Sequence, residues 1–118
     1  MPSPLLYVTM PLGGALALAG AYVCVRWYVY WKRNFKGRLL TGGPFAHVRH
    51  PLYSGFLALV YGVAVMAPVR DTITLAVVSS AVVYVYTKRE EEFLVERYGN
   101  AYRRYMEKVP WRLVPKVY

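Results

Sequence analysis

Apolar residues run almost unbroken through three stretches of this chain, and polar residues gather in two blocks, one before the second stretch and one after the third. Residues 4–25 carry no formal charge over 22 positions. As a helix rising about 1.5 Å per residue they cover about 33 Å, enough to cross a hydrocarbon core of about 30 Å. Residues 52–68 and 72–87 are apolar runs of 17 and 16 residues, at the lower limit for a span of about 17 residues. Between them, Ala67-Pro68-Val69-Arg70-Asp71 holds a proline that stops one helix and offers Asp71 or Thr72 as a cap for the next, which predicts a helical hairpin. Good helix formers from Lys88 to Tyr98 carry the third helix beyond its apolar run to Gly99, a C′ glycine. Residues 101–108 predict one more short helix. In residues 32–51, Gly37, Gly42-Gly43-Pro44 and His50-Pro51 break any helix. That predicts an irregular interfacial segment, tolerated at membrane depth only as the wall of a protein-lined cavity.

The pattern therefore reads as an all-α integral membrane protein of one domain with three transmembrane helices. Residues 4–31 form the first span, 32–51 an interfacial loop, 52–68 and 72–98 a helical hairpin with an extended last helix, and 99–118 a cytoplasmic C-terminal helix and tail. Composition agrees, since 118 residues that are 57% hydrophobic lack the polar surface of a soluble globule that size. Charge sets the orientation. Lys32, Arg33, Lys36, Arg38 and Arg49 lie between the first span and the hairpin, and Lys88, Arg89, Arg97, Arg103, Arg104, Lys108, Arg112 and Lys116 follow it. The N-terminal end and the Arg70 turn are nearly bare, so both basic regions are expected to face the cytoplasm. Trp27, Tyr28, Tyr30 and Trp31 predict an aromatic belt where the first span leaves the bilayer. The net charge of +9 is accounted for by topology and anionic headgroups rather than by nucleic acid. Ala17-Leu18-Ala19 resembles a signal-peptide cleavage site, but no basic residue precedes the apolar run, which favours a span.

Candidate chemistry sits in the polar blocks. His47-x-x-His50 is half of a metal site by spacing alone. The flanking prolines argue against a helix there and no third ligand of the right type is near except the glutamates, so no metal is expected. Glu90-Glu91-Glu92 reads equally as a solvated helix face or as acceptors for ligand hydroxyls or an ammonium group, with at most two of the three facing one pocket. Glu91, Leu94, Tyr98, Tyr102 and Tyr105 share a stripe if the helix passes Gly99 with little kink; for Tyr102 and Tyr105 an interfacial aromatic stripe is the simpler expectation. Gly13, Ala17 and Ala21 make a small-residue face that suits either packing within the chain or a homodimer. No glycine-rich phosphate loop and no nucleophile elbow is present, which excludes a soluble Rossmann-type cofactor domain.

Taken in order, Gly43-Pro44-Phe45, Val48-Arg49-His50-Pro51-x-Tyr53-x-Gly55, a hairpin, Arg89-Glu90-Glu91-x-x-Leu94-x-x-x-Tyr98-Gly99-x-x-Tyr102-x-x-Tyr105-x-x-x-Val109-Pro110 and Pro115 resemble the isoprenylcysteine carboxyl methyltransferase and phospholipid methyltransferase family. Phe45 stands where that family commonly has tyrosine, and Tyr98 where it commonly has phenylalanine. The resemblance implies an integral membrane enzyme, its cofactor site facing the cytoplasm, that passes a methyl group from S-adenosylmethionine to a lipid or lipidated acceptor and leaves S-adenosylhomocysteine. It implies that Gly43, Phe45, His50 and Tyr53 cradle the cofactor, that Glu90 and Glu91 accept hydrogen bonds from its ribose or ammonium group, and that Arg49 or Arg89 holds its carboxylate or an acidic acceptor. An acceptor that is already a carboxylate needs no strong general base. Two alternatives stand beside it: a nicotinamide-dependent membrane reductase of the sterol-reductase type, whose C-terminal region is similar, and a non-catalytic membrane subunit.

Overall fold

A computed structural model describes residues 4–115 and 118. Lys116, counted above among the basic residues of the tail, lies outside the described residues. Four α-helices follow one another: α1 (Leu6–Asn34), α2 (Pro51–Met66), α3 (Arg70–Tyr98) and α4 (Asn100–Lys108), with a single 3-10 turn at Gly43–Ala46 between α1 and α2. Among the described residues there is no strand.

Helix α1 is long and apolar enough to cross a bilayer, and α2 is a shorter apolar helix. The end of α1 lies at Asn34 rather than 31 because Lys32 and Arg33 occupy its last turn, where positive charge meets the unpaired carbonyls of the helix end. Pro51 opens α2 at its first position, where the missing N–H costs nothing. At the hairpin, α3 starts two residues before the apolar run, at Arg70. Thr72 then sits inside the first turn, not at the cap, and its Oγ1 accepts the Val69 N–H at 3.2 Å. Gly99, with φ +58°, ends α3 and turns the chain into α4, a conformation that favours glycine because any Cβ is strained there. The helix therefore breaks at Gly99 instead of continuing.

Small residues decide how α1 meets α2. Gly13, Ala17 and Gly20 are buried on α1, and Gly55 and Gly62 on α2. A Cβ on Gly13 would overlap the Gly62 carbonyl and the Met66 amide, and one on Gly62 would overlap the Ala17 amide. The two backbones pack without side chains between them, as small-residue faces allow. Of the two readings of this small-residue face, the structure shows packing within the chain: Gly13 and Ala17 are met by α2, with Ala21 half-buried beside them. Helix α3 leans on α2 through a small cluster of Val60, Ala64 and Ala76 and a hydrogen bond between Tyr61 and Ser80. Its outward side chains, among them Ile73, Leu75, Val78, Val82 and Val85, are exposed and apolar.

Residues 35–50 are irregular apart from the 3-10 turn. Gly43, at φ +57°, lets the turn press against the Tyr30 ring. The chain after α4 returns to the same place: Arg49 N–H donates to Trp111 O at 2.8 Å, His50 N–H to Arg112 O at 3.0 Å, and Ser54 Oγ to Leu113 O at 2.5 Å. Two stretches of chain distant in sequence, residues 49–54 and 111–113, thus meet at the start of α2.

Candidate functional site

On α3 the buried residues are Ala76, Ser79, Val83, Thr87 and Glu91. Their steps of three and four residues mark one helix face, and Glu91 is the point where that face passes from apolar packing into polar surroundings. Glu91 keeps 8% of its side chain exposed, whereas Glu90 keeps 45%, and Glu92 points to solvent. The helical repeat, about 100° per residue, is what separates three adjacent glutamates into three environments.

Two guanidinium groups and one imidazole converge on the Glu91 carboxylate. His50 Nε2 lies 2.8 Å from Oε2, Arg49 Nη2 lies 3.4 Å from Oε2, and Arg112 Nη2 lies 3.1 Å from Oε1. A carboxylate only accepts, so the Nε2 of His50 carries the proton that it donates. Burial pushes the Glu91 pKa up, but the His50 hydrogen bond and the charges of Arg49 and Arg112 outweigh it and hold the carboxyl below its ordinary value. His50 Nδ1 faces Glu90 Oε2 at 3.8 Å, and the Tyr53 ring tilts against the imidazole with centroids 6.0 Å apart. Glu91 therefore gathers the arginine and histidine of one polar block and an arginine of the tail from positions distant in sequence.

In front of Arg49 a cleft of about 220 Å³ opens, with Arg49, Glu90, Phe45 and Arg97 in its wall alongside Trp27, Trp31, Phe93 and Tyr102. It is smaller than the roughly 300–1,000 Å³ typical of ligand pockets and open along one side. Trp27 stacks on Trp31 at 5.9 Å and Trp31 on Phe35 at 5.1 Å, while Tyr30 holds Phe45 at 6.0 Å. Of the aromatic residues expected as a belt, Trp27 and Trp31 line the cleft, Tyr30 supports the loop, and Tyr28 is exposed beneath Lys32.

Helix α4 closes the floor. Tyr102 and Tyr105 are 1% and 4% exposed, with Arg103, Arg104 and Lys108 on the outer side. This corrects the expectation of an interfacial stripe: the break at Gly99 re-aims α4, and both rings become core, packed with Val109 against Leu39, Phe45 and Leu94. Tyr105 Oη donates to Phe45 O at 2.6 Å, pinning the turn. Burial raises the pKa of both phenols, so they are donors.

Of the residues singled out beforehand, Phe45, Arg49 and Glu90 stand in the wall, His50, Tyr53 and Glu91 stand behind it, and Gly43 shapes the loop. Arg89 is exposed on α3 and is not brought to the cluster. His47 is exposed and separated in environment from buried His50. Arg112 and Tyr102 were missed. For Tyr102 the signal existed in its spacing from Tyr105; for Arg112 none did, because its place depends on backbone pairing between residues 49–50 and 111–112.

The donor set fits S-adenosylmethionine. Aromatic faces suit an adenine, Glu90 suits ribose hydroxyls or an ammonium group, and Arg49 Nε is buried without a hydrogen-bond partner, so it is available to a carboxylate.

The family model described as "Phospholipid methyltransferase" matches residues 7–101. The chain is 33% identical over 82 residues to the protein-S-isoprenylcysteine O-methyltransferase of Schizosaccharomyces pombe, covering 67% of this chain and 34% of that protein. It is 32% identical over 83 residues to methanethiol S-methyltransferase 1 of Bradyrhizobium diazoefficiens, covering 67% and 27%. It is also 31% identical over 91 residues to the Delta(14)-sterol reductase of Methylotuvimicrobium alcaliphilum, covering 75% and 21%. The chain thus spans 21–34% of the length of these curated relatives.

Proposed function

The chain belongs to the phospholipid methyltransferase family, and on that premise we propose that it is an integral membrane methyltransferase that uses S-adenosylmethionine and acts on a lipid or lipidated acceptor. The observation that carries this reading is the assembly of Arg49, His50, Glu90 and Glu91, from two polar blocks, around one cleft.

When bound, S-adenosylmethionine supplies a sulfonium-borne methyl group, which a nucleophilic acceptor takes by in-line displacement. The protein's task is to align the two partners and keep water away, and such positioning supplies much of the rate. Glu91 does this indirectly: its charge, held by Arg112 and His50, fixes the Arg49 guanidinium at the cleft wall. Arg49, in the cleft wall with its Nε unpaired among the described residues, is suited to a carboxylate. Glu90 accepts from ribose hydroxyls or the ammonium group, and Phe45, Trp27 and Trp31 exclude water. No residue here is placed as a strong general base, which suits an acceptor that is already ionised.

Support for membrane placement comes from the 56 Å length of the molecule and the exposed apolar side chains of α1, α2 and α3. In this reading α1, α2 and the first part of α3 are three spans, and the cleft, the basic loop and α4 face the cytoplasm, where the cofactor is supplied. The open side of the cleft, between α1 and α3, admits a lipid-borne acceptor from the bilayer.

A second reading rests on the sterol reductase relative, for which a nicotinamide cofactor would occupy the same cleft. The two are separated by supplying purified protein in nanodiscs with methyl-labelled S-adenosylmethionine and a lipid extract. Label is expected in the organic phase, and lost with Glu91→Gln. No label, together with oxidation of a reduced nicotinamide by the same preparation, would favour the reductase.

A further inference from the structure

Among the described residues, two polar atoms at the cleft wall are buried with no hydrogen-bond partner, Tyr102 Oη and Arg49 Nε, and both residues line the same cleft. Their neighbours are engaged. Glu91 takes Arg49 Nη2, His50 and Arg112, and the adjacent phenol, Tyr105, donates to the carbonyls of Phe45 and Val48. Buried polar groups in folded proteins are nearly always paired, so two orphans in the wall of one cleft call for a partner that is not protein. Guanidinium nitrogen only donates, and the neighbourhood keeps the Tyr102 phenol protonated, so the missing group is an acceptor. The charged residues of the wall are Arg38, Arg49 and Arg97 against Glu90 alone, which favours an anion.

We infer that Tyr102 Oη and Arg49 Nε form a subsite for a carboxylate, carried either by the methionine part of the cofactor or by the methyl acceptor. The inference rests on the methyltransferase reading and adds Tyr102 as a ligand-contacting residue. It carries an unusual signature: since the Tyr102 hydroxyl makes no hydrogen bond among the described residues, its removal weakens binding without weakening the fold. A phenol donating to an ionised group contributes on the order of tenfold or more in affinity.

The test is calorimetric titration of wild type, Tyr102→Phe and Arg49→Lys in nanodiscs with S-adenosylhomocysteine, its decarboxylated analogue, palmitate and palmitamide. Arg49→Lys keeps a charge beside Glu91 but has no Nε. If the carboxylate is the cofactor's, both variants lose about tenfold for S-adenosylhomocysteine and little for the decarboxylated analogue. If it is the acceptor's, the loss falls on palmitate and spares palmitamide. Losses equal with and without the carboxylate, or no loss for any ligand, overturn the subsite. So does a lower unfolding temperature for Tyr102→Phe, which would make the hydroxyl structural. Wild-type protein that binds neither nucleoside contradicts the methyltransferase reading instead, and the palmitate pair then decides the subsite alone.

Discussion

His50 Nε2 and Glu91 Oε2 stand 2.8 Å apart, buried, and 41 residues apart in sequence. The pair joins the loop before α2 to the end of α3 at the level where α3 leaves its apolar packing. Because Arg49 and Arg112 share the same carboxylate, the loop, α3 and the tail are held by one charge.

Glu91→Gln is expected to lower stability by about 1.5–3 kcal/mol, the scale of a hydrogen bond to a charged group, and to weaken cofactor binding by releasing Arg49. Glu92→Gln, which alters an exposed side chain, should change neither. Thermal unfolding in detergent and titration with S-adenosylmethionine check both; equal behaviour of the two variants would return the glutamates to a solvated helix face.

The cluster also sets an acid limit. Glu91 has its folded-state pKa depressed below 4.5, so its contribution to stability is complete above that value and lost as pH falls through the lower, folded-state pKa. Unfolding temperature measured against pH should fall in that acid range, and Glu91→Gln should flatten the part of the fall that belongs to this residue.

Tyr105→Phe removes the donor to the Phe45 carbonyl and is expected to cost about 1 kcal/mol. Hydrogen exchange in residues 43–48 should quicken while the α1–α2 packing stays protected. Unchanged exchange there would mean that the turn is held by Tyr30 alone.

Helix packing gives a paired test. Gly13→Ala drives a methyl group into the α2 backbone and should cost about 1–3 kcal/mol as overpacking, whereas Gly14→Ala meets only Met66 Sδ at 3.9 Å and should be tolerated. Similar unfolding temperatures for the two would show that this face is not filled by α2.

Most of the helices were legible because period and punctuation agreed: an uncharged run, Pro68 at a turn, Gly99 at a break. The two polar blocks were legible as well, and so was the limit that one helix face cannot take three successive glutamates. What escaped depended on tertiary placement. The 111–113 segment carries no pattern of its own, and Arg112 reaches Glu91 only because Trp111 and Arg112 carbonyls pair with residues 49 and 50. Tyr102 and Tyr105 read as surface aromatics until the turn at Gly99 aimed them inward. Gly13 and Ala17 announced close packing, yet their partner was Gly62 of the same chain, a choice that spacing alone cannot make.

The cleft between Arg49 and Glu90 is proposed to hold S-adenosylmethionine. Calorimetric titration of wild-type protein and Glu90→Gln in nanodiscs, with S-adenosylmethionine and with reduced nicotinamide adenine dinucleotide phosphate, tests it most directly. Saturable binding of S-adenosylmethionine to wild type is expected, about tenfold or more weaker in Glu90→Gln, with no binding of the nicotinamide. Binding of the nicotinamide alone, or S-adenosylmethionine affinity indifferent to Glu90, would contradict it.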